Sequence, residues 1–146
     1  MNDFKTSFTV TQTPQQVFDA VINVRGWWSE SLEGDSRQQG DEFIYRHKDL
    51  HYSKHLLTEV IPNKKITWLT TDSSLNFVDD KTEWTGTIVV FDIEEQGNQT
   101  ILHFTHKGLV PELTCFEACS GGWNHYLQSL NELITKGKGH PDQKVS

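Results

Sequence analysis

The chain is short of basic charge, of cysteine and of long apolar runs, and each shortage excludes something. Thirteen lysines and arginines stand against twenty aspartates and glutamates, a formal net charge of −7. Nucleic acid and anionic membrane surfaces both attract a basic face, so neither is an expected partner. No apolar run approaches the roughly 20 residues that cross a bilayer. The amino-terminal residues 1–6 also lack the apolar stretch of a signal peptide, and the expected location is cytoplasmic. Only two cysteines occur, Cys115 and Cys119. Four apart, they share one helix face, and the plain reading is a pair of reduced, partly buried thiols. A metal site would need two more ligands, and no Cys-x-x-Cys or helical His-x-x-x-His pattern supplies them. Gly-x-Ser-x-Gly, P-loop and dinucleotide glycine fingerprints are missing too. No metal, no cofactor and no catalytic nucleophile is assigned.

What the chain does have is aromatics. Five tryptophans lie among 146 residues, a length sufficient for one domain with its own core. Indoles and phenols join a large apolar face to a polar edge, which suits a partly polar pocket. Residues Phe4 to Thr11 alternate as a half-buried strand. Thr13-Pro14-Gln15-Gln16 carries a capping box with proline at the first helical position, and Val17, Phe18, Val21 and Ile22 form the apolar stripe of a short helix, with Gly26 expected to end it or to sit just beyond its end. After Trp27-Trp28 and a polar stretch, strands are expected at Phe43 to His47, His51 to Ile61, Ile66 to Thr70, Trp84 to Ile93 and Thr100 to His106. A polar, acidic loop is expected from Asp72 to Lys81.

The last third holds one long amphipathic helix, Cys115 to Lys136, with a Thr114–Glu117 capping box. Two adjacent glycines, Gly121 and Gly122, interrupt it at a cost of about 1 kcal/mol each relative to alanine. The reading is that something approaches the helix too closely for side chains there, as at the roof of a cavity. One strand, helices, about five strands and a long helix amount to an antiparallel sheet with helices on one side. The domain is expected to span 1–139, with 140–146 a flexible carboxyl-terminal tail.

Several segments together carry a likeness: Phe8 to Pro14 with Val17-Phe18, Trp27-Trp28, Glu59 to Pro62 followed by Ile66 to Trp68, Thr100 to His106, and Gly122-Trp123 through Leu130, Leu133 and Gly137. In this order they resemble the START-like, Bet v 1-like superfamily (SRPBCC), and within it the branch named after the activator of the heat-shock protein ninety ATPase. The resemblance covers about Phe4 to Gly139. It implies an α+β helix-grip fold, a curved antiparallel sheet of six or seven strands wrapped around the carboxyl-terminal helix with a cavity between them. Pattern alone gives six strands; the seventh is expected from Glu30–Gln39 or Leu75–Val78. Superfamily members include lipid carriers, hormone receptors and polyketide cyclases, so the likeness does not choose a function. The eukaryotic co-chaperone's partner-binding amino-terminal domain is expected to be lacking here, and its role is not carried over.

Strand alternation points Leu102, Phe104 and His106 inward together, likewise Phe43, Tyr45 and His47, and Val89, Phe91 and Ile93 with Thr85 and Thr87. A few polar groups in an apolar wall is the usual make-up of a small-molecule site. The candidate lining is therefore Trp28, Tyr45, His47, Trp68, His106, Phe116, Gly122, Trp123 and Tyr126. Of the two adjacent tryptophans, one is expected to pack and one to line the mouth. His51 and His55 share a strand face but lie about 13 Å apart at 3.3 Å per residue, too far for one metal ion. The leading expectation is a binding protein for a small apolar or aromatic ligand. One alternative is a cyclase- or hydrolase-like enzyme using a cavity histidine as general acid–base. The other is a protein-interaction module, co-chaperone-like or a homodimer.

Overall fold

A computed structural model of the protein describes residues 3–47, 51–76, 82–111, 113 and 116–142. The chain runs β1 (Phe4–Val10), α1 (Pro14–Ile22), a 3-10 turn (Val24–Gly26), β2 (Glu33–Gly34), β3 (Glu42–His47), β4 (His51–Ile61), β5 (Lys65–Leu75), β6 (Ile88–Gln96), β7 (Gln99–Lys107) and α2 (Phe116–Lys136). All strands pair antiparallel in one seven-stranded sheet of order β1-β7-β6-β5-β4-β3-β2. With the long helix α2, this is the helix-grip architecture. Among the described residues no helix is long and apolar enough to cross a membrane.

Local chemistry accounts for most of the boundaries. Thr13 caps α1, accepting from the Gln16 amide while the Gln16 side chain accepts from the Thr13 amide; both orphan donors are satisfied before the helix begins. The β6–β7 hairpin turns through Gly97 at φ +61°, where a residue without Cβ adopts the left-handed conformation freely. In β7 the buried positions Thr100, Leu102, Phe104 and His106 alternate with more exposed ones, as the period of a pleated strand demands.

Three expectations need correction: where β5 ends, where β6 starts and where Thr85 points. β5 does not end at Thr70 but continues to Leu75, taking in the first part of the expected loop. Its buried Ser73 is satisfied by Thr85 (Oγ to Oγ1, 2.8 Å), so a polar residue sits inside without breaking the strand. β6 starts at Ile88, because Trp84–Thr87 forms a hydrogen-bonded turn (Thr87 N–H to Trp84 C=O, 3.0 Å) with Gly86 at φ +88°. That turn buries Trp84 and leaves Thr85 exposed rather than inward. The helix α1 stops at Ile22, and of the two places expected for Gly26 it takes the one beyond the helix end, closing the 3-10 turn. The seventh strand is β2, within the expected Glu30–Gln39 segment. The alternative Leu75–Val78 and the end of the expected loop lie partly outside the described residues; Cys115 and Thr114 of the expected capping box lie outside them.

The end of the chain is fastened over its described part. Gly137 at φ +81° ends α2 with its amide on the Leu133 carbonyl (3.1 Å), the usual left-handed stop. Gly139 is buried so closely that a Cβ there would meet Gly26 O at 2.6 Å and Ser129 O at 2.8 Å. The His140 amide donates to Ser129 Oγ (2.6 Å), the Asp142 amide to the Trp28 carbonyl (2.9 Å), and the Glu30 amide to the Asp142 carbonyl (3.0 Å). Residues 140–142, expected to be flexible, thus lie against the segment that carries the two adjacent tryptophans.

Between sheet and helix all five tryptophans are buried. Trp27 and Trp28 stack on each other (6.1 Å between centroids, 15° between planes) and both stack on Trp68. Adjacent side chains point to opposite faces in an extended segment; here the chain turns, with both amides bonded back to the Val24 carbonyl, and the two rings lie side by side.

Candidate functional site

A cavity of about 160 Å³ lies between α2 and the β3–β4 end of the sheet, partly open to solvent. Its walls come from five places. The turn after the 3-10 segment brings Trp28; β3 brings Tyr45 and His47; the start of β4 brings His51; and the turn before β6 brings Trp84. The helix supplies Ala118, Cys119, Gly122, Trp123 and Tyr126, a set spaced to fall on one face of α2. Six of the nine candidates lie here: Trp28, Tyr45, His47, Gly122, Trp123 and Tyr126.

The other three lie elsewhere. Trp68 is a core residue stacked beneath Trp28 at 5.9 Å. Phe116 is partly buried at the start of α2 and packs against the core, away from the cavity lining. His106 is fully buried with both ring nitrogens engaged. The Trp123 indole N–H donates to His106 Nδ1 (3.0 Å), and His106 Nε2 lies 2.8 Å from Thr87 Oγ1, which in turn donates to the Trp84 carbonyl (2.6 Å). Since Nδ1 accepts, the proton of the neutral ring sits on Nε2 and is donated to Thr87. Burial holds this histidine far below its ordinary value, at about 3, against the opposing charge of Asp3. An imidazole so satisfied has no lone pair left for a substrate and is uncharged at neutral pH.

Pattern reading passed over His51, Trp84, Ala118 and Cys119. For His51 a signal existed: with a tight β3–β4 connection it falls opposite His47, and the two are register partners. The separation estimated for a straight strand did not survive folding. The rings of His51 and His55 converge on Ser53 Oγ, at 3.0 and 2.9 Å from their Nε2 atoms, and the pairing with β5 shifts register between Lys54 and His55. His55 is also bonded through Nδ1 to Thr70 Oγ1 (3.1 Å). Burial, followed by the neighbouring His47, lowers His51 to about 3; burial, then His51 and His106, pushes His55 well down. Among the described residues no three histidine, cysteine or acidic side chains are grouped to hold a metal ion.

The glycine pair also reads differently. A Cβ at Gly121 or Gly122 would meet nothing within 4 Å. No strand presses on the helix; Gly121 faces solvent, while the missing side chain of Gly122 leaves space in the cavity.

Polar groups gather at one side. The Tyr45 and Tyr126 hydroxyls both donate to Asp142 Oδ2 (2.8 and 2.7 Å) and lie 3.0 Å from each other. His47 Nδ1 approaches the same oxygen at 3.4 Å. Burial is the main cause that raises both phenols above their ordinary range; the Asp142 carboxylate adds to the effect in each. They therefore stay protonated and keep donating. Elsewhere the lining is hydrocarbon and ring, so the cavity can enclose a small apolar or aromatic group beside this rim.

The family described as Activator of Hsp90 ATPase homolog 1-like protein matches residues 11–135. Among solved structures, the Aha1 dimer from Colwellia psychrerythraea is similar at 24% identity, over 95% of this chain and 100% of that one, with a TM-score of 0.76. The protein SSP2350 from Staphylococcus saprophyticus is similar at 18% identity, over 97% of each chain, with a TM-score of 0.71. CalU16 from Micromonospora echinospora is similar at 16% identity, over 94% of this chain and 76% of that one, with a TM-score of 0.66. A search of curated proteins found no match.

Proposed function

Taking as premise that the chain belongs to the Activator of Hsp90 ATPase homolog 1-like family, we propose that it is a cytoplasmic binding protein for a small apolar or aromatic molecule held between sheet and α2. The cavity carries this reading: about 160 Å³ walled by Trp28, Tyr45, Trp84, Trp123 and Tyr126. Its size limits the occupant. Pockets for drug-sized ligands run from roughly 300 to 1,000 Å³, whereas a dry cavity of about 150 Å³ accepts one benzene ring. A single ring or a compact branched group fits, and a long acyl chain does not.

Titration of the purified protein with small aromatic compounds such as phenol and indole, followed by calorimetry, tests the reading. Binding is expected in the wild type and lost in Gly122→Leu, whose side chain grows into the cavity while the fold is retained. Absence of heat for every compound, or equal binding by the filled variant, would overturn it. Native mass spectrometry of gently purified protein supplies the independent view, with a reproducible small adduct expected.

A homodimer is a second reading, favoured by the dimeric state printed for the Colwellia structure. Against an apolar interface stands the surface itself, where Ile61 is the exposed large hydrophobic residue among those described, too little for a contiguous patch. A solution mass of 16.8 kDa rather than twice that value is the expected outcome. The acid–base reading loses His106, whose nitrogens are both consumed.

A further inference from the structure

The cavity is unusual in what its rings turn toward it. Three indoles line it, and none presents its N–H. The Trp123 nitrogen is spent on His106, and those of Trp28 and Trp84 are buried without any acceptor, away from accessible surface. What an occupant meets of these residues is ring carbon. Indole and phenol rings are negative over their faces and positive at the rim, and the N–H is the most positive point of the indole edge. Turning all three N–H groups aside removes the part that would repel a positive charge.

The lining rings form two stacks, Tyr45 on Trp28 (4.4 Å, 27°) and Trp84 on Trp123 (5.8 Å, 4°), set at an angle to each other. Trp28 is tilted 49° to Trp123 and 51° to Tyr126, Tyr45 stands at 76° to Tyr126, and His51 at 83° to Trp84. A compact group inside is met from several directions. No lysine or arginine lines the cavity. His51, held neutral by burial, adds no charge. The carboxylate bonded to the wall is that of Asp142, which accepts from both lining phenols and lies 3.4 Å from Nδ1 of His47, itself part of the lining. A phenol donating to a carboxylate is more electron-rich, which deepens the attraction of its face for a cation.

We infer that the cavity takes an organic ammonium ion, a quaternary or alkylated amine no larger than choline, held by the aromatic walls and balanced by Asp142. This rests on the small-molecule reading above and names the chemistry of its occupant. Aromatic enclosures around quaternary ammonium groups are an established way of recognising a cation that cannot hydrogen-bond. The volume suits a trimethylammonium group. It leaves no room for a lipid tail, so the free ion is the assigned form and not a phosphocholine headgroup.

The test is calorimetric titration with choline beside 3,3-dimethyl-1-butanol, its neutral isostere, which has the same shape without the charge. Choline is expected to bind about tenfold more tightly than the alcohol. Asp142→Asn keeps an oxygen that can accept from both tyrosines but removes the charge; it should erase most of that preference, read as the ratio of the two affinities. Equal affinity for the two compounds, or binding of phenol and indole with none of choline, would overturn the cation assignment and leave the small-molecule reading standing. Failure of all four compounds would remove both. Dihexanoylphosphatidylcholine, run alongside, separates the two sources of the group: tighter binding of the lipid than of choline would overturn the free-ion assignment.

Discussion

Acid should dismantle this protein at a pH that its buried histidines set. His51, His55 and His106 surround Trp84, with ring centroids at 4.7, 6.3 and 4.9 Å. All three are neutral in the fold, His51 and His106 with values near 3, whereas an unfolded histidine titrates near 6.5. The unfolded chain thus binds more protons than the folded one between about pH 3 and 6.5. Stability from this source is complete above pH 6.5 and falls as the pH drops through that window. Each histidine costs about 1.4 kcal/mol per pH unit there, so three together cost about 4. A domain of this size holds roughly 5–15 kcal/mol in all. Two units below 6.5 the loss is about 8 kcal/mol, which places the acid transition between about pH 4 and 5.

Urea unfolding followed by tryptophan fluorescence at a series of pH values measures this directly. The slope of stability against pH near pH 5.5 should correspond to uptake of about three protons. His106→Gln should lower the slope by one proton, because glutamine cannot titrate yet retains an acceptor for the Trp123 N–H. The variant will start from lower stability, but the slope is independent of that offset. A wild-type slope of one proton or less would refute the reasoning, since the three rings would then already be charged or not buried in the fold.

Other outcomes follow from local geometry. Gly121→Ala should raise stability by about 1 kcal/mol, because the site is a solvent-facing helix interior with open space for the methyl group; thermal unfolding should show a gain of a few degrees, about 2–4 °C. Thr13→Ala should cost about 1 kcal/mol by removing the side-chain acceptor of the α1 cap, seen as a lower urea midpoint at unchanged slope.

The fold was largely readable because its signals are local. Thr13-Pro14 with Gln16 forms the expected cap, and Leu102, Phe104 and His106 share the buried face that alternation assigned them. Where reading failed, polar residues were inside. Ser73 in β5 looked like loop because its burial depends on Thr85, twelve residues away. Gly86 inside an apolar run looked like strand because a glycine's sign of φ is not written in its neighbours. His51 and His55 seemed too far apart because side-chain direction, not strand rise, brings both to Ser53. The glycine pair suggested close packing, yet one glycine faces solvent and the other a void. Residues 140–142 looked like a tail because polar composition cannot show that Gly139 would be seated on Gly26 and Ser129.

That last segment decides how the cavity differs from the frame that holds it. The family match ends at residue 135, and it takes in strands β2 to β7 and nearly all of α2. These elements make a concave wall and a roof, and many chemistries can share them. The charge at the rim comes from Asp142, seven residues further on, delivered by the turn at Gly137 and fixed by backbone bonds to Trp28 and Glu30. The same bonds tie Trp28, a wall of the cavity, to the residue that polarises two other walls, Tyr45 and Tyr126. Whatever loosens the end of the chain therefore alters the charge, the hydroxyl orientation and one tryptophan together. On the proposed binding reading, substitution of Asp142 should change which molecule is bound more than whether the protein folds, whereas any side chain at Gly139 would meet the Gly26 and Ser129 carbonyls and cost stability.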